Sequence, residues 1–386
     1  MKKRTRNTIY KIMIFGLLFV FATIPITGRT SISTRMMVNA IGIDGVDDKY
    51  SVTVETLGKE NESLKGEGQT VTLAINDIDI KEGKFSELAH CGLIVFGKDT
   101  KTDKIIDSLL SLLSKGRINP GSAVICANGK AEDFLTNASK VSGSGAGISE
   151  LIEFIDQFEH NTTQRIISFL DKLKGKSGAA CLPMLEVAKL EGDTGEPVQS
   201  NSSSGGGIEG SIGSEEKTEL LIVGKNMVYG NKETELGKAE SGAYAYFSNY
   251  KGTGISDLEH FIVNGKDYGN MAADIESRAG KLKLISPNHI KLIIDAKLRC
   301  IDRYKILSAY SEFNMSVEEL VKLLSEEFTA KIKGDTEKLI DFCRKESMDI
   351  LGIRSEIYKY YPSQLKSVEE TLGSINIEIE TNIRAY

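Results

Sequence analysis

Histidine and cysteine side chains bind metal ions and act as nucleophiles, and the chain has 4 histidines and 5 cysteines. The histidines, none of which has a partner at the i,i+4 spacing of a metal site, are His90, His160, His260 and His289. The cysteines, which lie far apart and partly inside apolar runs, are Cys91, Cys126, Cys181, Cys300 and Cys343. These patterns favour structural histidines and buried free thiols over a zinc site or a disulfide framework.

A glycine-rich stretch at residues 143–147 precedes a helical pattern, as the loops that bind phosphate do. It lacks the third glycine of a dinucleotide motif and a Gly-Lys-Ser ending, so a turn before a helix is favoured. Two carboxylate pairs, Asp47-Asp48 and Asp77 with Asp79, have no neighbour that would make them an acid–base couple. The sequence therefore predicts no catalytic, cofactor-binding or metal-binding residue, and a chain that is not an enzyme.

Short β-favouring runs alternate with helical patterns in the first half, which is typical of a sheet covered by helices. The predicted strands are Val38–Asp44 and Tyr50–Thr56, joined as a hairpin, and the buried Leu93–Gly97 and Ala123–Ala127. The predicted helices are Ile105–Leu113, Ile148–Phe158 and Thr162–Leu173, the last with Thr162 and Thr163 as its N-cap.

The second half begins with strands and ends with long helices and a strand. The predicted strands are Glu219–Val223, Met227–Tyr229, Asp274–Ser277, the alternating and half-buried antiparallel His289–Arg299, and Ile375–Glu380. A capping box of Ser316 and Glu319 predicts the start of a long amphipathic helix with Leu320, Leu324 and Phe328 on one stripe. A second helix is predicted through Leu339, Ile340, Cys343 and Met348.

Residues Glu191 to Glu216 lose this periodicity and become rich in Gly, Ser, Asn and acidic residues, which predicts a flexible linker. The linker separates a predicted α/β domain at residues 29–190 from another at 217–386. A subdivision of the second domain near residue 280 is an alternative. The fold class is therefore α+β, with several mixed α/β domains. Each has a largely antiparallel or mixed sheet packed with helices, after an N-terminal membrane-anchor helix.

That anchor is predicted for residues 1–28. A basic flank of Lys2, Lys3, Arg4, Arg6 and Lys11 precedes the apolar run Ile12–Ile26. By the positive-inside rule the flank stays in the cytoplasm and the remainder is exported. As a helix the run spans roughly 22 Å, against about 30 Å for the hydrocarbon core, so it is short but usable. An uncleaved anchor is favoured, and a cleaved signal peptide is the alternative.

Composition excludes two other classes. The net charge is −6 and the basic residues beyond the first dozen alternate with acidic ones, so no nucleic-acid partner is expected. With 40% apolar and 26% charged residues, the part beyond Gly28 can form ordinary globular cores and is not a membrane-spanning bundle.

Several strings in a fixed order give the chain a family resemblance. They are Met37–Asp44 with Tyr50–Val54, His90–Phe96, Ala127–Leu135, Leu221–Gly224 with Glu233–Glu235, and Met348–Ile353 with Tyr361-Pro362. In this order the chain resembles the spore germination receptor C-subunit family. The resemblance implies a non-enzymatic subunit of several mixed α/β domains. Such a subunit works beside membrane-embedded A and B type subunits in the spore inner membrane, where the assembly senses nutrients and triggers germination.

The chain departs from that family at one position. The family usually has a lipid-modified cysteine after a Leu-Thr-Gly-like sequence, whereas Ile26-Thr27-Gly28 is followed here by Arg29. Without a thiol no lipid can be attached at this position, so the N-terminal helix has to be the anchor, with the globular domains on the extracytoplasmic side.

The expected function is therefore that of the C subunit of a nutrient germinant receptor, needed for spore germination, with no cofactor. The alternative is an exported solute-binding or cell-envelope scaffolding protein. A third possibility, an envelope hydrolase, lacks any motif in its favour.

Overall fold

A computed structural model describes residues 34–46, 48–56, 63–114, 116–142, 164–189, 218–248 and 254–386. The predicted anchor at 1–28, the glycine-rich stretch at 143–147 and the helix predicted at 148–158 lie outside these ranges. Among the helices within them, none is long and apolar enough to cross a membrane.

The first sheet has ten strands among the described residues and mixes parallel with antiparallel neighbours. The strands are β1 (Arg35–Val46), β2 (Lys49–Thr56), β3 (Ser63–Gly68), β4 (Phe85–Glu87), β5 (Leu93–Phe96), β6 (Ala123–Ala127), β7 (Gln164–Arg165), β8 (Ala180–Lys189), β9 (Thr218–Tyr229) and β10 (Thr234–Leu236). Their order is β10-β9-β8-β6-β5-β1-β2-β3, while β4 pairs with β1 and β7 with β6. Strands β1, β5, β6 and β8 are parallel neighbours. The antiparallel pairing of β1 with β2 confirms the predicted hairpin.

Helices cover both faces of this sheet. They are α1 (Val71–Glu82), α2 (Thr102–Ser114), α3 (Ala131–Ser142) and α4 (Ile166–Lys174). The side chains of α1, α2 and α4 share a core with Ile94 and Phe96 of β5, whereas α3 packs on Leu93 and Val95 of that strand. All four β5 residues are buried, because each face of the strand has a helix layer against it.

The start of α4 corrects one prediction. The helix begins at Ile166 after Arg165, whose backbone is extended and whose side chain makes no capping hydrogen bond. Thr162 and Thr163 are therefore not its N-cap, because Gln164 and Arg165 first form β7 against β6.

The second sheet has four strands, in the order β11-β14-β15-β16. These are β11 (Gly254–Leu258), β14 (Met271–Ser286), β15 (His289–Cys300) and β16 (Asn376–Ala385), and a separate ribbon pairs β12 (Ile262–Val263) with β13 (Lys266–Asp267). Strand β15 pairs with β14 in the antiparallel direction and alternates in burial, as predicted. Its pairing with the closing strand β16 is parallel.

The remaining helices are α5 (Lys238–Phe247), α6 (Arg303–Phe313), α7 (Val317–Glu346), α8 (Ile353–Tyr360) and α9 (Val368–Ser374). Helix α7 has 30 residues and begins with the predicted capping box, in which Ser316 Oγ accepts the Glu319 N–H at 3.2 Å. The predicted stripe of Leu320, Leu324 and Phe328 is fully buried.

The second helix predicted through Leu339 and Cys343 is wrong, because both residues belong to α7. The buried stripe continues through Ile332 and Thr336 at helical spacing. The helix ends at Glu346, and its C-cap Ser347 is in the left-handed conformation. The glycine within it, Gly334, costs about 1 kcal/mol relative to alanine, which this packing outweighs.

The segment predicted as a linker connects two neighbouring strands. Strands β8 and β9 are antiparallel, with Lys189 opposite Thr218 and Ala180 opposite Tyr229. Residues 190–217 themselves lie outside the described residues. The first sheet thus includes β9 and β10 from beyond the predicted boundary, and residue 280 lies inside β14. The division into domains remains a prediction.

Candidate functional site

The carboxyl ends of β1, β5, β6 and β8 lie side by side, which is where α/β folds commonly bind ligands. Polar side chains meet at this edge, close to the start of β10. We call this group the strand-end junction, and its residues are Asp44, Lys98, Asn128, Glu233 and Glu235.

Asp44 joins the end of β1 to the start of α3. Its carboxylate accepts the N–H groups of Ala131 at 2.8 Å and Glu132 at 3.1 Å, which are among the groups that a helix leaves unpaired at its first turn. Burial raises the pKa of Asp44, although both hydrogen bonds act against this shift. A Cβ atom at Gly97 would lie 2.0 Å from Asp44 Oδ1, so this contact requires glycine there.

Lys98 follows β5 and links it to β10. Its Nζ atom lies 2.6 Å from Glu235 Oε1 and donates to Asn128 Oδ1 at 3.1 Å. Glu235 also pairs with Lys225 of β9 at 3.2 Å. The hydrogen bond between Lys98 and Glu235 raises the pKa of Lys98 and lowers the pKa of Glu235, so both groups are held in their charged forms.

Asn128 connects β6 to β8. Its N–H donates to the Leu185 carbonyl at 2.7 Å, and its Nδ2 donates to Glu186 Oε2 at 2.8 Å. Since its Oδ1 accepts from Lys98, the side chain uses both ends of its amide within the chain.

Glu233 caps the start of α2. It accepts the Thr102 N–H at 2.8 Å and the Thr102 hydroxyl at 2.9 Å, and Lys101 Nζ lies 3.1 Å away. Burial alone would raise its pKa, but the bonds from Thr102 and Lys101 outweigh burial and hold the pKa below its usual value. A residue before β10 thereby fixes a helix of the first half.

The strand-end junction is internally paired and contains no activated nucleophile. The nearest thiol, that of Cys126 on β6, is buried, which raises its pKa to about 12. Within the described ranges no group of three or more His, Cys, Asp or Glu side chains could hold a metal ion. The charged groups of the strand-end junction pair with one another. These pairs hold together strands that are far apart in the sequence.

A second junction joins the C-terminal helices to the first half. Asp349 accepts the N–H groups of Gly352, Ile353 and Arg354 at 3.0, 2.9 and 2.7 Å, and so caps α8. Burial raises the pKa of this carboxyl, against the effect of the three hydrogen bonds.

From the same helix, Arg354 Nη1 donates to the Lys176 carbonyl at 2.5 Å, and the hydroxyls of Ser355 and Ser177 lie 2.8 Å apart. We call these contacts the Asp349 junction. They bring α8 against the loop between α4 and β8.

The structure places the histidines separately. His90 is exposed, His260 Nδ1 lies 2.7 Å from Asp267, and His289 Nε2 lies 3.5 Å from Glu378. The fourth, His160, lies outside the described residues.

All five cysteines are buried and free, which confirms the expectation of buried thiols. The acidic pair near residue 78 stabilises local structure, since Asp77 accepts the Glu67 N–H at 3.0 Å and Asp79 accepts the Ser86 N–H at 2.8 Å.

Comparison with known families matches both halves of the chain. The Spore germination protein N-terminal domain matches residues 28–187, and the Spore germination B3/GerAC like C-terminal domain matches residues 231–386. The chain belongs to the spore germination receptor C-subunit family. The crystal structure of the GerBC protein matches with 13% sequence identity and a TM-score of 0.45, over 89% of this chain and 96% of that chain. No curated protein sequence matches the chain.

The strings that resemble the germination receptor C-subunit family contain four of the five residues of the strand-end junction and the carboxylate of the Asp349 junction. Asp44, Asn128, Glu233 and Glu235 lie in them, and so does Asp349. Sequence reasoning identified these strings but assigned no role to their polar residues. A capping residue next to its helix leaves a local signal, whereas Asp44 caps a helix that begins 87 residues later in the chain.

Proposed function

We propose that the chain is the non-enzymatic C subunit of a nutrient germinant receptor, needed for spore germination. Membership of the spore germination receptor C-subunit family supports a role in germination. The observation that favours an assembly role over a reaction is the internal pairing of the polar residues in the family-like strings. Asp44 and Asp349 cap helices, and Glu235 pairs with two lysines.

These contacts suit a subunit that holds a fixed shape. The strand-end junction attaches β10 to the loops after β5 and β6, and the Asp349 junction attaches α8 to the loop before β8. Helix α7, with 30 residues, contributes side chains to two apolar cores, one beside the second sheet and one that also includes Ala179 and Cys181 of the first half, which resists bending between them. A subunit built in this way can position membrane-embedded partners relative to one another.

The proposed location is the spore inner membrane, with the described residues on the extracytoplasmic side. The basic flank before Ile12–Ile26 supports this orientation, and Arg29 in place of a cysteine supports anchoring by the helix rather than by a lipid. Full-length protein should fractionate with membranes without incorporating labelled palmitate, and removal of residues 1–28 should release it. Palmitate labelling, or release of the wild-type chain after signal cleavage, would contradict this anchor.

The proposed partners are the membrane-embedded A and B type subunits of the receptor. Affinity purification of the full-length chain from spore membranes should recover both of them. The matched control is Leu324→Asp, which places a charge on the buried stripe of α7 and should unfold the second half. This variant should not recover the membrane subunits. Recovery of the folded full-length chain without either membrane subunit would contradict the proposal.

A further inference from the structure

A cavity of about 500 Å³ lies between helices α5 and α7 and the end of strand β11. Its apolar wall consists of Ala243, Tyr246, Leu258 and Ile332, each at most 5% exposed. The volume falls in the range of pockets that hold small organic molecules, about 300–1,000 Å³. The cavity contains no residue of the strand-end junction or of the Asp349 junction, so it is separate from both.

The wall of this cavity includes a glycine in the interior of α7. Gly334 lies in a helix of 30 residues, where glycine is less stable than alanine. A Cβ atom at this position would have no described neighbour within 4 Å outside the backbone of its own helix, so packing does not require glycine there. Helical spacing places Gly334 on the same face of α7 as Glu327 and Lys338, which also line the cavity. The glycine therefore makes no contact of its own and leaves the space open.

The charged residues of the wall are only partly paired with one another. Lys331 and Lys338 both pair with Asp335, at 3.4 and 3.2 Å. The wall also has three carboxylates that make no ion pair with any described residue, and these are Asp257, Glu259 and Glu327.

The unpaired carboxylates lie at one end of the cavity. Tyr246 of α5 shares an apolar core with Phe328, whereas Ala243, one turn earlier, shares a core with Leu339. Lys238, the third lysine of the wall, begins α5 and therefore lies toward the later part of α7. The carboxylates lie at the opposite end, beside β11 and the earlier part of α7.

A negative end next to an apolar wall favours a cation that has an apolar body. A metal ion does not fit, because no group of three or more His, Cys, Asp or Glu side chains in the described part of the chain could hold one. An ammonium group has three N–H donors and can bind carboxylates that are spread apart. The buried side chains of the apolar wall can cover the rest of such a molecule.

We propose that this cavity binds a small organic cation, with a primary ammonium group at Asp257, Glu259 and Glu327 and an apolar body against Tyr246 and Ile332. The space for that body is the space that Gly334 leaves open. This inference does not depend on the proposed function, because it uses only the residues that line the cavity.

Isothermal titration calorimetry of the full chain in a non-ionic detergent tests the proposal, with phenethylammonium as the probe. The matched ligands are phenethyl alcohol, in which a hydroxyl replaces the ammonium group, and hydrocinnamate, which has a carboxylate on the same apolar body. The cation should bind saturably, the alcohol should bind about fivefold more weakly, and the anion should bind more weakly still. Added salt should weaken the binding of the cation and leave that of the alcohol unchanged.

Two variants test whether the ligand occupies this cavity. Gly334→Leu fills the space and should abolish binding, while the far-UV circular dichroism spectrum stays that of the wild type. The matched control is Gly373→Leu in α9, where a Cβ atom also has no described neighbour within 4 Å, and it should bind as the wild type does. Glu327→Gln should weaken the cation about fivefold and leave the alcohol unchanged. Its control is Glu337→Gln, an exposed residue of α7 outside the cavity, which should change neither affinity.

Three results would overturn the proposal. Absence of saturable binding of phenethylammonium to the wild type would show that the cavity does not take such a cation. Equal affinities for the cation and the alcohol would remove the role of the carboxylates. Binding that survives Gly334→Leu in a folded chain would place the ligand elsewhere on the protein.

Discussion

Replacing Glu55 should remove a pH dependence from the stability of the first half. This carboxylate lies on β2, between Ala40 on β1 and Ser63 on β3, and only 7% of the residue is exposed. Its Oε2 atom has no hydrogen-bond partner among the described residues. Burial raises its pKa from 4.5 to about 7.

The direction of the effect follows from proton binding. The folded chain binds this proton more tightly than the unfolded chain, so folding is favoured at low pH and the advantage is lost as the pH rises from 4.5 through about 7. At about 1.4 kcal/mol per pKa unit, the ionised carboxylate at pH 8 costs roughly 3 kcal/mol relative to the neutral acid. A neutral glutamine of similar size avoids this cost.

Urea unfolding of wild type and Glu55→Gln at pH 5 and pH 8 tests the prediction. Far-UV circular dichroism is suited as the signal, because the chain has no tryptophan. The variant should gain up to about 3 kcal/mol over wild type at pH 8 and much less at pH 5. Glu67→Gln, an exposed residue on β3, is the matched control and should change stability by under about 0.5 kcal/mol at both values. An equal effect of Glu55→Gln at both pH values would refute the reasoning.

Two further predictions concern packing and connection. Leu324→Ala on the buried stripe of α7 should lower the free energy of unfolding by about 2–5 kcal/mol. The control Val317→Ala, at a residue that is 60% exposed, should lower it by under about 0.5 kcal/mol. Equal losses of the two variants in urea unfolding would contradict the burial of that stripe. Limited proteolysis should cut first within residues 191–216, and the two fragments should elute together because β8 pairs with β9. Fragments that separate without denaturant would contradict that pairing.

Local patterns predicted the parts of the fold that depend on neighbouring residues. The hairpin of β1 and β2, the buried strands β5 and β6, and the capping box of α7 are all present. Each of these elements is encoded within about a dozen residues by periodicity or by a cap. The start of α4 was missed because two residues before it form a short strand, a pairing that depends on the distant β6.

The candidate site could not be predicted, because its contacts cross long separations in sequence. Asp44 reaches a helix start 87 residues away, and Thr102 reaches Glu233 over 131 residues. The strand order of the first sheet could not be predicted for the same reason, since β9 follows the predicted linker yet pairs with β8. Composition predicts a linker at residues 191–216, but it does not indicate which strands the linker connects.

Germination of spores that lack this chain tests the central claim most directly. Spores of a strain without its gene and close paralogues should form normally, respond poorly to at least one nutrient, and still germinate with agents that bypass nutrient receptors. Reintroducing the wild-type gene should restore the nutrient response. Unchanged nutrient germination in the strain that lacks all these genes would contradict the assignment to a germinant receptor.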